Sequence, residues 1–181
     1  MPRSDARRNH ERILAVAEAE VAAHGADASL EQIARTAGVG SATVRRHFPS
    51  RQVLLEAVFR QQVDALAARA DELAASADPR TALLDWLAAL TSYAATARGL
   101  ATALIRDDST TEHAHACSVQ LTEAGEPLVR RAIEAGAVGE EVTPEDLIAV
   151  VTGIVLATEH GHDPAREAQR LLALAVKGIS P

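Results

Sequence analysis

Apolar residues recur at helical spacing along almost the whole chain, and glycine and proline fall between the periodic stretches. The first stretch runs from about Arg8 to His24, with Ile13, Ala17 and Val21 on one face and Gly25 as a C-terminal cap. Alanine, leucine, glutamate and arginine, which favour helices, dominate. No stretch is a convincing strand. The pattern therefore predicts an all-α fold.

Two short helices and a long one follow. Ser29 is a candidate N-cap for the second helix. The inward stripe of that helix has the spacing i, i+3, i+4, i+7 and consists of Leu30, Ile33, Ala34 and Ala37. Gly38-Val39-Gly40 ends it, and a third helix spans roughly Ser41 to His47. Pro49-Ser50 separates that helix from a long fourth one, which reaches about Ala75 and has Ser50 as its cap.

In the rest of the chain, a capping side chain precedes a proline at three places, an arrangement typical of helix starts. These are Asp78-Pro79, Thr143-Pro144 and Asp163-Pro164. The predicted helical segments are 79–97, 100–107, 111–135 with a candidate break at Gly125-Glu126-Pro127, 144–160 and 164–178. The total is about nine helices. We expect residues 1–52 and 53–181 to form two domains, joined rigidly by the long fourth helix.

The segment SLEQIARTAGVGSATVRRHFPSR, residues 29–51, has the pattern of a helix-turn-helix. After a glycine-containing turn, the short third helix turns Val44 and Phe48 inward. At about 100° per residue, its outer faces then carry Ser41, Ala42, Thr43, Arg45, Arg46 and His47. A helix that enters a major groove needs such small, cationic and hydrogen-bonding side chains. The alternative is a short surface helix whose arginines are only solvated.

Through this segment the chain resembles the TetR family of bacterial regulators. The family pattern is approximately T-x-x-x-I-A-x-x-A-G-V followed by T-L-Y-x-x-F. The matching residues are Ile33, Ala34, Ala37, Gly38, Val39, Thr43 and Phe48. The likeness extends through the first helix and into Leu54, Leu55 and Val58, so it covers about the first 60 residues. Arg45 stands where the family often has tyrosine and Ala42 where it often has glycine, which affects the expected operator sequence and not the binding mode.

The resemblance implies a set of contacts with a double-stranded DNA operator. It assigns phosphates to Thr43 and His47, to Ser29 near the start of the second helix, and to Arg51 at the start of the fourth. Arg45 is the best candidate for reading a base. The complete predicted DNA-binding set is Ser29, Ser41, Thr43, Arg45, Arg46, His47 and Arg51.

The region after the helix-turn-helix differs among members of this family, because they sense different ligands. Residues 83–154 nevertheless resemble the C-terminal domain of one actinobacterial-type subgroup. The fifth helix carries Trp86 and Tyr93, whose apolar bodies and polar tips suit a cavity for a small apolar or amphipathic effector. The predicted lining is Trp86, Leu90, Tyr93, Leu104, Cys117 and Leu121. The alternative is that this stripe is ordinary core.

The last two predicted helices carry more apolar surface than one face of a small domain absorbs. The eighth, from Leu147 onward, is apolar nearly all round, so it must be covered on both sides. The ninth carries Ala168, Leu171, Leu172, Leu174, Ala175, Val176 and Ile179. We expect helices eight and nine to pair with their symmetry mates as a four-helix bundle in a homodimer. The alternative is a monomer in which both are buried.

The formal net charge of −7 is unevenly distributed. Residues 1–51 hold eight arginines and six acids, a net charge of +2, and the remainder carries −9. This asymmetry favours a nucleic-acid surface on an acidic body. The one cysteine, Cys117, agrees with a reducing compartment. Without an apolar run of about 20 residues or a secretory signal pattern, the sequence predicts a cytoplasmic protein with no membrane partner.

An enzyme and a metal sensor are alternatives from other classes. The sequence has no recognisable arrangement of nucleophile, base and orienting acid. His113 and Cys117 share a helix face but His115 points elsewhere, so the three do not converge on one ion. We therefore expect no catalytic residue, metal or cofactor. The predicted function is a ligand-responsive repressor that binds a palindromic operator as a homodimer; a regulator that senses no ligand, or that activates, is the remaining alternative.

Overall fold

The computed structural model describes the backbone of residues 2–104 and 110–178 and, within them, the side chains of residues 6–25, 27–95 and 116–178. These residues contain eight α-helices, one 3-10 turn and no strand, which confirms the predicted all-α class. The helices are α1 (Pro2–His24), α2 (Leu30–Thr36), α3 (Ser41–His47), α4 (Arg51–Ala74), α5 (Pro79–Leu104), α6 (Thr110–Glu134), α7 (Pro144–Thr158) and α8 (Pro164–Lys177). The 3-10 turn, Gly25–Asp27, follows α1.

The described residues contain eight helices where the sequence predicts about nine. Residues 79–104 form one helix, α5, so the predicted segment 79–97 continues into the predicted segment 100–107, whose last three residues lie outside the described residues. Gly99 lies between them, but a single glycine weakens a helix by only about 1 kcal/mol and does not by itself end it. The helices predicted as the eighth and ninth are therefore α7 and α8.

Helix α6 also continues through its candidate break, with Pro127 inside the helix. Proline lacks the backbone N–H that a helix interior uses, so the local sequence favours an end there. Leu121 and Leu128 are buried on the two sides of the proline. Packing of these side chains, which local propensity does not include, stabilises the continuous helix.

Short side chains cap the starts of five helices, as the sequence predicts. The hydroxyl oxygens of Ser29, Ser50 and Thr143 each accept a hydrogen bond from the backbone N–H three residues later, at 3.2 Å. The carboxylates of Asp78 and Asp163 accept hydrogen bonds from backbone N–H groups two and three residues later, at 3.1 Å. Each cap satisfies a donor that the first helical turn leaves open.

The chain divides into two compact units. The first contains α1 to α3, α4 as far as Gln61 and α5 from Ala97; the second contains α4 from Gln62, α5 as far as Thr96, α6 from Thr111, α7 and α8. The core of the first unit consists of Ile13, Ala17, Val21, Ala28, Ile33, Ala34, Ala37, Val44, Phe48, Leu54, Leu55 and Val58. These include every inward position predicted for α1 to α3 except Leu30, which is half-buried.

Trp86 is the largest fully buried side chain of the second unit. Its indole N–H donates a hydrogen bond to the carbonyl oxygen of Leu66 on α4, at 3.1 Å. Its ring also lies against Gly125 on α6, where an added Cβ would be 2.8 Å from the ring carbon Cη2. One side chain of α5 therefore contacts two other helices of this unit.

Hydrogen bonds from side chains to backbone carbonyl oxygens also connect the helices of the second unit. The guanidinium group of Arg131 on α6 donates to the carbonyl oxygens of Ala74, the last residue of α4, and of Ser76 just after it. Gln169 on α8 donates to the carbonyl oxygen of Ala88 on α5, at 2.7 Å. Among the described residues, no helix combines the length and the apolar character needed to cross a membrane.

Candidate nucleic-acid interface

The first unit presents α3 with one face in the core and the others in solvent. Val44 on α3 and Phe48, which directly follows the helix, are each only 1 % exposed. The opposite side carries exposed Arg45 and Arg46, with half-buried Thr43 and His47 beside the core. Because α3 contains no acidic residue, its outer surface is cationic. This is the surface that the helix-turn-helix pattern predicts.

The turn between α2 and α3 fixes the orientation of that surface. Gly38 adopts a φ of 63°, a left-handed conformation that strains residues with a side chain. This lets the backbone N–H of Val39 return to the carbonyl oxygen of Ala34, at 3.0 Å. The chain reverses within a few residues. At the start of α3, the backbone N–H groups of Thr43 and Val44 both donate to the carbonyl oxygen of Gly40.

Two predicted phosphate contacts lie outside α3, at the starts of neighbouring helices. Ser29 precedes α2; its hydroxyl oxygen accepts from Gln32, which leaves the hydroxyl proton to donate elsewhere. Arg51 is the first residue of α4, and its guanidinium group lies 4.0 Å from the carboxylate of fully exposed Asp27. An exposed pair at that distance contributes little stability, so a phosphate can replace the carboxylate.

His10 on α1 belongs to the same surface, and it is absent from the predicted set. Its ring stacks on Phe48, with centroids 4.9 Å apart and planes 26° from parallel. It also meets the ring of His47 in an edge arrangement, with centroids 5.6 Å apart. The periodicity of α1 contains a signal for this position, since His10 precedes the buried residue Ile13 by three residues and so shares its face.

The sequence matches two family models, which together cover the helix-turn-helix and the whole second unit after α4. Residues 13–58 match the model described as bacterial regulatory proteins, tetR family. Residues 78–181 match the model described as transcriptional regulator SbtR-like, C-terminal domain. The chain belongs to the TetR family.

Solved structures agree with this assignment. A TetR transcriptional regulator from Streptomyces coelicolor is 34% identical over 95% of this chain and 98% of its own, with a TM-score of 0.73. A TetR regulatory protein from Mycobacterium vanbaalenii is 30% identical over 94% of this chain and 98% of its own, with a TM-score of 0.70. The regulator FadR from Bacillus subtilis, solved with stearoyl-CoA, shares the fold at 20% identity, over 94% and 99% of the chains, with a TM-score of 0.60. No curated protein matches the chain significantly.

The predicted effector-binding residues of this TetR-family protein occupy different environments in the second unit. Trp86, Leu90 and Leu121 are buried, whereas Tyr93 on α5 and Cys117 on α6 are half-buried. Burial, with a further contribution from Cys117, raises the pKa of the Tyr93 hydroxyl. The side chain of Leu104 lies outside the described residues, as do those of His113 and His115.

Two open grooves of the second unit are lined by other residues. One, of about 360 Å³, has Leu84 and Leu172 in its floor and Arg80 and Lys177 among its lining residues. The other, of about 710 Å³, lies at the connection from α7 to α8 and is lined mainly by polar and charged side chains, including His162. Neither groove is lined by Trp86 or Tyr93.

Helix α7 has an apolar face in solvent. The buried side of the helix carries Val151, Val155 and Thr158. At about 100° per residue, the opposite third of its circumference carries the capping residue Asp146 in the first turn and, beyond it, only small or apolar residues, all exposed. These residues, the α7 apolar face, are Ala149, Val150, Gly153, Leu156 and Ala157. The expected excess of apolar surface in this helix is thus present in the single chain, where Leu156 is 58 % exposed.

Proposed function

We propose that this TetR-family protein is a transcriptional repressor, which binds a palindromic operator as a homodimer and is released by a small molecule. The observation that carries the proposal is the cationic outer surface of α3, held by the buried residues Val44 and Phe48 on a rigid helix-turn-helix. The operator is double-stranded DNA, and the protein works in the bacterial cytoplasm, where that DNA lies.

The residues of the surface have different roles in this proposal. Arg45 is exposed at the middle of α3 and reads a base, since its planar group bonds both acceptors of guanine. Arg46 and Ser41 flank it on the same exposed surface. Ser29, Thr43, His47 and Arg51 donate to backbone phosphates, which fix the position of α3 in the groove without reading sequence.

The homodimer forms through the α7 apolar face and the neighbouring part of α8. Leu174 of α8 is half-exposed, like Leu156, and α7 and α8 pack against each other. An exposed apolar face of this kind marks an interaction surface in a soluble protein. Two-fold pairing then presents two copies of α3 to two half-sites of the operator. The centres of these half-sites are separated by about one helical turn of DNA, roughly 34 Å, or by a multiple of that distance.

The effector is apolar or amphipathic and binds in the second unit between α5 and α6. Half-buried Tyr93 and Cys117 supply the polar contacts, and Trp86, Leu90 and Leu121 supply the apolar wall. The amphipathic ligand bound to FadR, a structural relative, supports this class of compound. Release requires that the effector prefer the form that does not bind the operator; a hundredfold loss of operator affinity takes about 2.8 kcal/mol of that preference.

Selection of binding sites from a pool of random duplexes by the full-length protein tests the proposal. We expect the selected sequences to converge on a near-palindrome with half-site centres about one helical turn, or a multiple, apart. Arg45→Ala should bind the selected site about 1–3 kcal/mol less tightly, which is roughly 5- to 150-fold, and should accept more than one base at one position of each half-site. Arg130→Ala, at an exposed arginine of the second unit, is the control and should bind as the wild type does. No enrichment by the wild type would contradict the proposal.

Arg51→Ala should have a different signature, because its guanidinium group contacts a phosphate and not a base. We expect weaker binding to all duplexes by a similar factor, and a slope of log affinity against log salt concentration that is smaller by about 1. Titrations of the selected duplex and of a scrambled duplex at several salt concentrations measure both quantities. If the variant lost affinity for the selected duplex alone, Arg51 would be a base-reading residue instead.

A further inference from the structure

His10 and His47 bring two imidazole rings together at the edge of the DNA-binding surface. They come from different helices, α1 and α3, and their centroids are 5.6 Å apart with planes at 62°. Phe48, which is buried, stacks on His10 at 4.9 Å and lies 6.4 Å from the centroid of His47. A buried aromatic ring therefore holds both imidazoles in place, and both remain only half-buried.

The polar atoms of the two rings are available to a ligand. Within the part of the chain that the structure describes, no hydrogen bond or ion pair engages either imidazole, whereas His24, farther along α1, is bonded to the Glu20 carbonyl oxygen. A phenylalanine at position 10 would stack on Phe48 equally well, so the stacking alone does not use the ring nitrogens. Two neutral imidazoles offer one N–H donor each, and protonation adds a second donor and a positive charge to each ring.

We propose that His10 and His47 together bind one backbone phosphate of the DNA, so that α1 contributes a contact to the interface that otherwise consists of α2, α3 and the start of α4. This inference rests on the proposed DNA-binding function. A phosphate presents several acceptor oxygens, and donors from two converging rings share them. The pair also links α1 to the C-terminal end of α3, so that one phosphate bridges two helices of the first unit.

Positive charge lies close to this pair along the chain. On α1, Arg7 pairs with Glu11 at 3.4 Å and Arg12 donates to Asn9. On α3, Arg45 and Arg46 are exposed and the helix contains no acidic residue, so a phosphate held by the pair meets a cationic surface.

The experiment measures binding of the full-length protein to a scrambled duplex of about 20 base pairs, long enough for both half-sites, at low salt. His10→Phe keeps the ring on Phe48 but removes the nitrogens. We expect it to bind roughly fivefold more weakly than the wild type, about the effect of losing one hydrogen bond. His47→Phe should behave in the same way, and the double variant should lose less than the product of the two single losses, because both rings hold one phosphate.

His24→Phe removes an exposed histidine at the other end of α1 and is the matched control, expected to bind as the wild type does. Circular dichroism of each variant checks that the helices are retained. Wild-type binding by His10→Phe would overturn the proposal, since it leaves His10 a packing role only. Losses of the two single variants that multiply in the double variant would also overturn it, since the two rings would then not share one phosphate. If the wild type itself bound neither this duplex nor any selected duplex, the proposed function would fail as well.

Discussion

Trp86→Ala is expected to lower the free energy of unfolding by about 3–5 kcal/mol, the range for removing a buried aromatic side chain. Trp86 is 0 % exposed, and it contacts α4 through its hydrogen bond to Leu66 and α6 through Gly125. The truncation removes both contacts and leaves a cavity among three helices. A loss of this size is a large part of the 5–15 kcal/mol that ordinarily stabilises a folded protein. Urea denaturation followed by far-ultraviolet circular dichroism measures it.

Gly125→Ala, made both in the wild type and in the Trp86→Phe variant, tests the contact between the indole ring and α6. Alanine stabilises a helix interior by roughly 0.5–1 kcal/mol relative to glycine, but a Cβ at position 125 would lie 2.8 Å from Cη2 and 3.1 Å from Cζ3 of Trp86. A fully buried indole has no room to withdraw, so Gly125→Ala should destabilise the wild type by about 1–3 kcal/mol. In the Trp86→Phe background the outer indole ring is gone, and the same change should be neutral or stabilising. Equal effects of Gly125→Ala in both backgrounds would show that the indole ring does not limit the size of the residue at position 125.

The helix-turn-helix could be predicted from the sequence because its determinants are local. Apolar spacing placed Ile33, Val44 and Phe48 in the core, and all three are buried. Ser29 and Ser50 were assigned as caps from residue type and position alone, and both accept the expected backbone hydrogen bonds. Interactions that span three residues of one chain segment are visible in that segment, which is why these predictions did not need the tertiary structure.

Features that depend on distant residues could not be predicted in the same way. The spacing of α5 shows that Trp86 faces inward, but not that its N–H bonds to Leu66, 20 positions earlier. Pro127 favours a helix end by its local preference, and the packing of Leu121 and Leu128 on its two sides decides otherwise. His10 lies on the same periodic face as Ile13, yet only the fold brings it to Phe48 and His47, 38 and 37 positions away in sequence.

The second large expected effect is the loss of the homodimer in the variants Gly153→Glu and Leu156→Glu. Both substitutions place a carboxylate on the α7 apolar face. In the part of the chain that the structure describes, a Cβ added at Gly153 has no neighbour within 4 Å, so the longer side chain does not disturb the folded chain. Replacing a glycine inside a helix even favours the helix, by up to about 1 kcal/mol. A carboxylate on this face nevertheless prevents close pairing, because it would be buried without a partner between two apolar surfaces.

We therefore expect light scattering to report twice the chain mass of 19.1 kDa for the wild type and a single chain mass for both variants at micromolar concentration. Affinity for the selected operator should fall about a hundredfold or more, because two separate chains lose the advantage of binding both half-sites together. Ala173→Glu is the matched control: Ala173 is also exposed, but by helical position it lies on the side of α8 that carries Arg166, Arg170 and Lys177, so this variant should stay dimeric. Dimers of wild-type mass in both Gly153→Glu and Leu156→Glu, with unchanged operator affinity, would place the dimer contact on a different surface of the second unit.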